Sequence, residues 1–518
     1  MTVATHSWGE ALRSICDRRV VVMLFLGFSA GIPLLLIFSS LGLWLREAGI
    51  ERAAVTYFSW AALGYSFKFV WAPLVDQLPV PGLTRWLGRR RAWILVAQIA
   101  IIASILMMAS VDPSASDSSL IWMALAAVLL GFSAATQDIV IDAYRIESAP
   151  TELQAMMSAT YIAGFRIGML VAGAGSLFLA DWLGTTSEEY VYQSWQSTYQ
   201  LMALAMMVGV VTTLVIREPR QSEARDYLID SHDYARFLLL FALSIAAFVS
   251  VFFLSSGIVT ELKSLLGQSG PIALLIAFLV ESLRLAVALL IAWMAAMMLV
   301  RRGLVDYALV EQTYLMPVRD FFKRYGWSLA WILLALIGVY RISDIVLGVI
   351  SNVFYQDLGF SKSEIGTVVK TFGVLMTIVG GFFGGLLAIR FGVIRILFLG
   401  AVLSAATNLL FMVLANVGYD MTWLYIVISA DNLSAGIASA AFVAFLSSLT
   451  NISFTAMQFA IFTSLMTLLP KLLGGYSGSM VDAMGYPGFF LLTAILGLPV
   501  LILIIITARR FEIRENSG

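Results

Sequence analysis

The sequence predicts an all-α polytopic membrane protein of about fourteen spans, arranged as two six-helix halves with two extra transmembrane helices between them. Three observations predict it. The 518 residues are 60% hydrophobic and only 12% charged, a balance that belongs to membrane proteins and not to soluble domains. Apolar runs of about 20 residues, the length a helix needs to cross hydrocarbon, recur from end to end. Lysine and arginine gather on alternate connections, twenty-two on one side against four on the other. Cytoplasmic loops carry that excess, so both termini are expected in the cytoplasm and the span count is even.

The N-terminal half covers 1–216. Its first span, 20–44, is too long for a signal-peptide core and lacks a clear small-residue cleavage site, so it reads as a retained helix. Gly27 and Gly31 are i, i+4 on it and Pro33 follows, which suits close helix packing or a cavity-lining helix with a broken hydrogen-bond ladder. The second span, 53–74, carries Lys68, which either snorkels to the interface or partners Asp138 or an anionic cargo. Before the third span, 92–110, lies the connection Asp76…Gly88-Arg89-Arg90-Arg91. It is either plain positive-inside charge or a latch in which an acid, a glycine and bases brace neighbouring helix ends. The fourth, 118–144, ends in Gln137-Asp138-Ile-Val-Ile-Asp142-Ala-Tyr-Arg145. Asp138 and Asp142 share a helix face, and Arg145 is within pairing reach of Asp142. Charges in or beside hydrocarbon are costly and mark functional sites by default. The fifth span, 156–180, holds Arg166 between Gly164 and Gly168, as a salt bridge to the Asp138/Asp142 face or as a carboxylate clamp. The sixth, 197–216, closes the half.

Residues 217–327 form an insert: a polar linker, the spans 236–259 and 271–300, and the stretch Pro317–Arg324, whose mixed aromatics and charges suit a cytoplasmic membrane surface. The C-terminal half and a short cytoplasmic tail occupy 328–518, with spans 328–351, 364–388, 393–415, 421–448, 455–478 and 486–508. In the first of these Arg341 and Asp344 are i, i+3 and can neutralise each other. Lys370 falls on the next span and Lys471 on the fifth. Asp431, beside Asn432, lies mid-span with no local partner in sequence, and Lys370 and Lys471 are its long-range candidates. A lone carboxyl there suits a proton carrier. The halves are related by a loose repeat: Gly88–Arg91 recurs as Gly392–Arg395, 304 residues on, and Arg166 and Lys471 are 305 apart. Parallel six-helix halves describe a transporter with its site near midplane between them.

Composition also excludes. Thirty-two bases balance thirty-two acids, which gives no reason to expect a nucleic-acid partner. The one cysteine, Cys16, allows no intramolecular disulfide and no cysteine-rich metal site. His6 and His232 both lie outside the apolar segments, so proton coupling falls to Asp or Glu. With no Walker loop, zinc spacing or nucleophile–histidine pairing, no enzyme, cofactor or metal is expected.

Several of these motifs together resemble one family. Gly27-Phe-Ser-Ala-Gly-Ile-Pro-Leu34, Phe67-Lys-Phe-Val-Trp-Ala-Pro-Leu-Val-Asp76, Gly88-Arg-Arg-Arg-Ala-Trp93, Ala135-Thr-Gln-Asp-Ile-Val-Ile-Asp-Ala-Tyr144, Gly164-Phe-Arg-Ile-Gly-Met169 and Ala441-Phe-Val-Ala-Phe-Leu-Ser447…Ala456-Met-Gln-Phe-Ala460 closely resemble the AmpG-type muropeptide permeases. These are major facilitator proteins of the Gram-negative inner membrane. The resemblance implies the major facilitator fold. It also implies import of N-acetylglucosaminyl-1,6-anhydro-N-acetylmuramic acid, with or without peptide, for peptidoglycan recycling, with beta-lactamase induction in some species and dependence on the proton-motive force. It lends functional weight to Lys68, Asp138, Asp142, Arg166, Asp344, Lys370 and Asp431. Arg341, Gln137, Asn432 and Lys471 complete the expected substrate and proton pathway, and Asp76, Gly88, Arg89, Arg90 and Arg91 the expected gate loop. A monomer in the bilayer is expected, with protons and a cell-wall sugar or sugar-peptide as partners. The alternative is another anionic solute on the same fold, such as acetyl-CoA or a siderophore-type compound. In the stretch Gln137–Arg145, Arg145 is expected anchored at the inner surface, Asp142 beside it as a gate or brace, and Asp138 in contact with Lys68 or Arg166, while Asp431 is the expected proton site.

Overall fold

A computed structural model describes residues 13–50, 68–185, 189–219, 231–266, 271–361, 364–474 and 477–516. Among these, all regular structure is helical. The principal helices are α1 (Arg18–Leu35), α2 (Arg89–Ala109), α3 (Asp117–Ser148), α4 (Thr151–Leu170), α5 (Tyr192–Ala205), α6 (Met207–Val215), α7 (Ser231–Leu254), α8 (Pro271–Arg301) and α9 (Met316–Tyr325). They continue with α10 (Trp327–Val339), α11 (Ile342–Asp357), α12 (Gly373–Phe391), α13 (Val393–Val417), α14 (Met421–Leu449), α15 (Thr455–Gly474), α16 (Ser477–Ile495) and α17 (Gly497–Asn516).

Twelve stretches among the described residues are long and apolar enough to cross a membrane. The expectation of fourteen adds two. One is 53–74, of which 53–67 lie outside the described residues. The other is 271–300, which lies within the continuous helix α8 but contributes only Ala286–Arg301 as a shorter apolar helix.

Glycine spacing sets the closest packing. Gly27 and Gly31 of α1 face the carbonyls of Tyr161 and Phe165 on α4, while Gly164 and Gly168 of α4 face those of Leu24 and Phe28 on α1. A Cβ at any of the four would strike backbone, so this contact exists only between small residues. Arg166 lies two residues from both α4 glycines, on the opposite side of the helix. The α1–α4 contact therefore aims it away from α1. A parallel device joins α12 to α14, where Gly380 meets Leu433 backbone, Gly384 meets Ile437, and Gly436 meets the Thr377 carbonyl.

Pro33 lies within α1, and just beyond it the helix widens into a π segment, Leu36–Ser40. A second π segment, Ile365–Phe372, opens the span that continues as α12 and carries Lys370. The hairpin α7–α8 joins the body at one end, through buried Phe237, Leu240 and Val300 beside Tyr314. Tyr314 donates its hydroxyl to the Val70 carbonyl. Most of α7's other apolar side chains stay exposed, as a lipid-facing helix requires.

Candidate functional site

Two polar assemblies stand out, one at the Gly88–Arg91 end of the molecule and one halfway along the spans.

At the loop end, Arg90 is 1% exposed and donates to Asp76 at 2.7 Å, to Glu147 at 2.5 Å and to the Val75 carbonyl. Arg89 donates to the Asp76 carbonyl. Glu218 accepts from the N–H groups of Arg90 and Arg91, closing the exposed start of α2. Burial pushes the Glu218 carboxyl above its ordinary range, against those two N–H bonds. Gly88 takes φ +85°, and a Cβ there would meet the Glu218 side chain, so the loop needs glycine twice over. Arg91 donates to the carbonyls of Thr213 and Leu214 at the end of α6. Asp76, Gly88, Arg89, Arg90 and Arg91 thus sit in one hydrogen-bonded set, and it reaches further than neighbouring helices. Asp76 also accepts from the N–H groups of Ala456 at 3.1 Å and Met457 at 2.8 Å, capping the first turn of α15 in the other half.

Arg145, expected anchored at the inner surface, lies near the loop end of its helix but is buried there. It is 1% exposed and spans the halves, donating to Gln154, Ser158 and, across the interface, Ser447 on α14 at 2.9 Å. Its guanidinium lies 5.1 Å from the ring centre of Phe459 on α15 and 3.3 Å from Asp142. Burial is possible because hydroxyl and amide oxygens satisfy the guanidinium fork. Asp142, also 3.9 Å from Lys68 Nζ, thus lies between two cations. The α9 segment is likewise docked on helix ends: Arg324 donates to the Leu449 carbonyl and Gln458, and Asp320 accepts from Asn451 and Gln458.

In the second assembly, Lys68 is 8% exposed and pairs with Asp142. Asp138 accepts from the Tyr161 hydroxyl at 3.1 Å and lies in the field of Lys68. Among the described residues neither expected partner, Lys68 or Arg166, is at ion-pair distance from Asp138; Lys68 pairs with Asp142 instead. The expected bridge from Arg166 to the Asp138/Asp142 face does not form, because the α1–α4 glycine contact turns Arg166 elsewhere. Its charged neighbour is Arg341, across the interface. Gln137 is fully buried and its amide points at Ser29 of α1, so it lies inside the first half.

In the second half, Arg341 donates to Ser439 at 2.6 Å and lies 3.2 Å from Asp344, confirming that i, i+3 pair. Ser404 donates to Asp344 and Thr407 to Asp431, the latter at 3.5 Å. Asp431 is thus not without a partner, and the charges acting on it are Asp344 and Arg341 instead of Lys370 or Lys471. The amide of Asn432 is spent between helices, accepting from Thr377 and donating to the Ile428 carbonyl. Asn408, on the same α13 face as Ser404 and 1% exposed, has neither amide atom bonded within the protein. Lys370 and Lys471 are exposed side chains within spans; Lys370 senses Arg166, and Lys471 senses Lys68.

Reading the sequence alone misses Glu147, Glu218, Ser447, Ser404 and Thr407. One signal was available for the docked loops: Gln154 and Gln458 are 304 residues apart, the offset of the repeat, and each folds back on the connection before it. Among the described residues no group of three or more His, Cys, Asp or Glu is placed to hold a metal.

The sequence profile of the Major Facilitator Superfamily matches residues 20–342 and 332–518. A Rickettsia felis protein named putative transporter AmpG 4 is 29% identical, over 96% of this chain and 98% of its own length. The anhydromuropeptide permease of Escherichia coli is also 29% identical, over 97% of this chain and 82% of its own. Among solved structures, the proton:xylose symporter XylE bound to 6-bromo-6-deoxy-D-glucose superposes with a TM-score of 0.54 at 12% identity, covering 96% of each chain. The Escherichia coli fucose:proton symporter gives 0.56 at 11%, covering 95% of this chain and 98% of that one. At such identities the structural likeness is one of fold.

Proposed function

The chain belongs to the Major Facilitator Superfamily and is a transporter, not an enzyme; from that premise we propose that it imports anhydro-muropeptides from periplasm to cytoplasm by proton symport. The observation that carries this reading is the end-to-end similarity to the Escherichia coli anhydromuropeptide permease, over 97% of this chain. The chemistry agrees. Such a cargo offers amides, hydroxyls and carboxylates, and the interface between the halves offers Arg166, Lys370 and Lys471 as cations. On this reading the two halves are 1–216 and 328–518, 217–327 is an insert, and the protein sits as a monomer in the inner membrane with both termini cytoplasmic.

The Gly88–Arg91 end is then the cytoplasmic gate, drawn shut. Asp76 holds the start of α15, Arg145 reaches Ser447, and Gly381 and Gly385 of α12 pack on Ala159 and Met156 of α4. Alternating access requires those contacts to break together as the opposite end closes. Proton coupling falls to the carboxyls Asp344 and Asp431, which share the field of Arg341. A cargo carboxylate drawn to Arg341 weakens its hold on Asp344, which links loading to protonation.

The reading is tested by uptake of labelled anhydro-disaccharide into permease-deleted cells expressing the chain, with and without an uncoupler. Uptake several-fold above the deletion strain and abolished by the uncoupler is expected; uptake no greater than the deletion strain rejects it. Asp431→Asn should retain exchange of internal for external cargo while losing net uptake driven by a pH gradient. A different anionic solute, such as acetyl-CoA or a siderophore-type compound, is favoured by the same cations and is separated by competition: free CoA esters should leave disaccharide uptake unchanged.

A further inference from the structure

Arg166, Lys370 and Lys471 differ from the other cations of the spans. Lys68 has Asp142, Arg341 has Asp344, and Arg90 has Asp76 and Glu147. Arg166, Lys370 and Lys471 have no carboxylate at ion-pair distance among the described residues, and the charge each one senses is another cation. Arg166 of the first half senses Arg341 of the second, Lys370 of the second senses Arg166, and Lys471 of the second senses Lys68 of the first. Gly381 and Gly385 of α12 pack on Ala159 and Met156 of α4, and Arg166, seven residues after Ala159, and Lys370, eleven before Gly381, continue those two faces along the seam between the halves. Lys370 and Lys471 are exposed and Arg166 is half-buried.

An unpaired cation inside a span is expensive, and like charges facing one another add to the cost. A protein that needed only to hold one weak acid would need one such group. Arg166 offers a planar fork suited to a carboxylate held by two bonds, whereas Lys370 and Lys471 are flexible point charges suited to a second and more distant anion. Resting on the muropeptide reading, we infer that this site selects cargo bearing two or more carboxylates, so that a sugar-peptide with an acidic peptide is taken in preference to the bare disaccharide. In the bare disaccharide the muramic lactyl group is the only carboxylate. Joining a peptide converts that group to an amide, and the acidic residues of the peptide then supply the anions that meet Arg166 and Lys370.

The test uses the full chain in proteoliposomes with three labelled probes: the bare anhydro-disaccharide, the same disaccharide bearing an acidic tripeptide of net charge −2, and that tripeptide form with its carboxylates amidated. The half-saturating concentration should be about tenfold lower for the acidic form than for the bare disaccharide, the effect of one added charge-assisted contact. Amidation should remove the advantage. Lys370→Gln should bring the acidic and bare forms within about twofold of each other, and Lys370→Arg should restore the gap. A bare disaccharide that enters as well as the acidic form, or an amidated form that keeps the advantage, overturns the inference using the unaltered protein alone. Entry of none of the three probes above empty liposomes overturns the muropeptide reading and the inference with it.

Discussion

The loop-end assembly and the mid-span assembly are built from the same residue types and have opposite electrostatics. At the loop end, the buried charge closes on itself: Arg90 is held by two carboxylates, Asp76 in turn by Arg90 and two N–H groups, and Arg145 by hydroxyls, an amide and a carboxylate. In the second assembly, carboxylates and cations are divided unequally. Asp138, Asp344 and Asp431 each have a hydroxyl donor, while Arg166, Lys370 and Lys471 face one another's kind. A closed set of charges stabilises one arrangement of helices. An open set leaves a field that something else must satisfy. The first is what a gate needs, the second what a binding site needs, and burial alone does not separate them.

That contrast breaks most readily at Arg90. Arg90→Ala leaves Asp76 and Glu147 buried with no cation, and losing one partner of such a set costs about 3–5 kcal/mol. A large drop in melting temperature in detergent, with poor recovery of folded protein, is the expected result. A variant as stable as the parent means that water replaces the guanidinium and the set is not closed. Arg166→Gln is the complementary change. Removing a cation that senses only another cation should leave melting unchanged within about 0.5 kcal/mol, or raise it, while uptake falls at least about tenfold. Loss of stability there would place Arg166 among the structural charges and erase the distinction between the two assemblies.

The smallest effect is expected outside both, at Glu364, which accepts from the Tyr419 hydroxyl at 2.6 Å beyond the ends of the spans. That bond and the Ser361 N–H hold the Glu364 carboxyl below its ordinary range. A carboxyl lowered in the folded state stabilises above its unfolded value, near 4.3, and the contribution vanishes as pH falls through the folded value. Tyr419→Phe should therefore lower the melting temperature slightly at pH 7 and by less at a pH below the lowered folded value. An equal effect at both pH values would mean that the ring contact with Phe360 carries the pair and the hydrogen bond does not.

Much was legible before any coordinates. The spans, the basic loop and each intramembrane charge could be read directly, because hydropathy over about 20 residues and the cost of a charge in hydrocarbon are local properties of the chain. Pairs three residues apart were legible for the same reason: Arg145 with Asp142 and Arg341 with Asp344 follow from helix geometry. Tertiary structure decided what each remaining charge faces. Asp76 meets N–H groups 380 and 381 residues away, and Arg145 meets a hydroxyl 302 residues away. Main-chain N–H groups are the same at every position, and serines are common, so neither marks itself in a sequence as a partner. Arg166 shows the limit most directly. Its charge and flanking glycines were visible at once, and so was its depth, but its direction was set by Gly164 and Gly168 packing on α1 backbone. Which face of a helix is buried against a neighbour depends on both helices, and only their packing determines it.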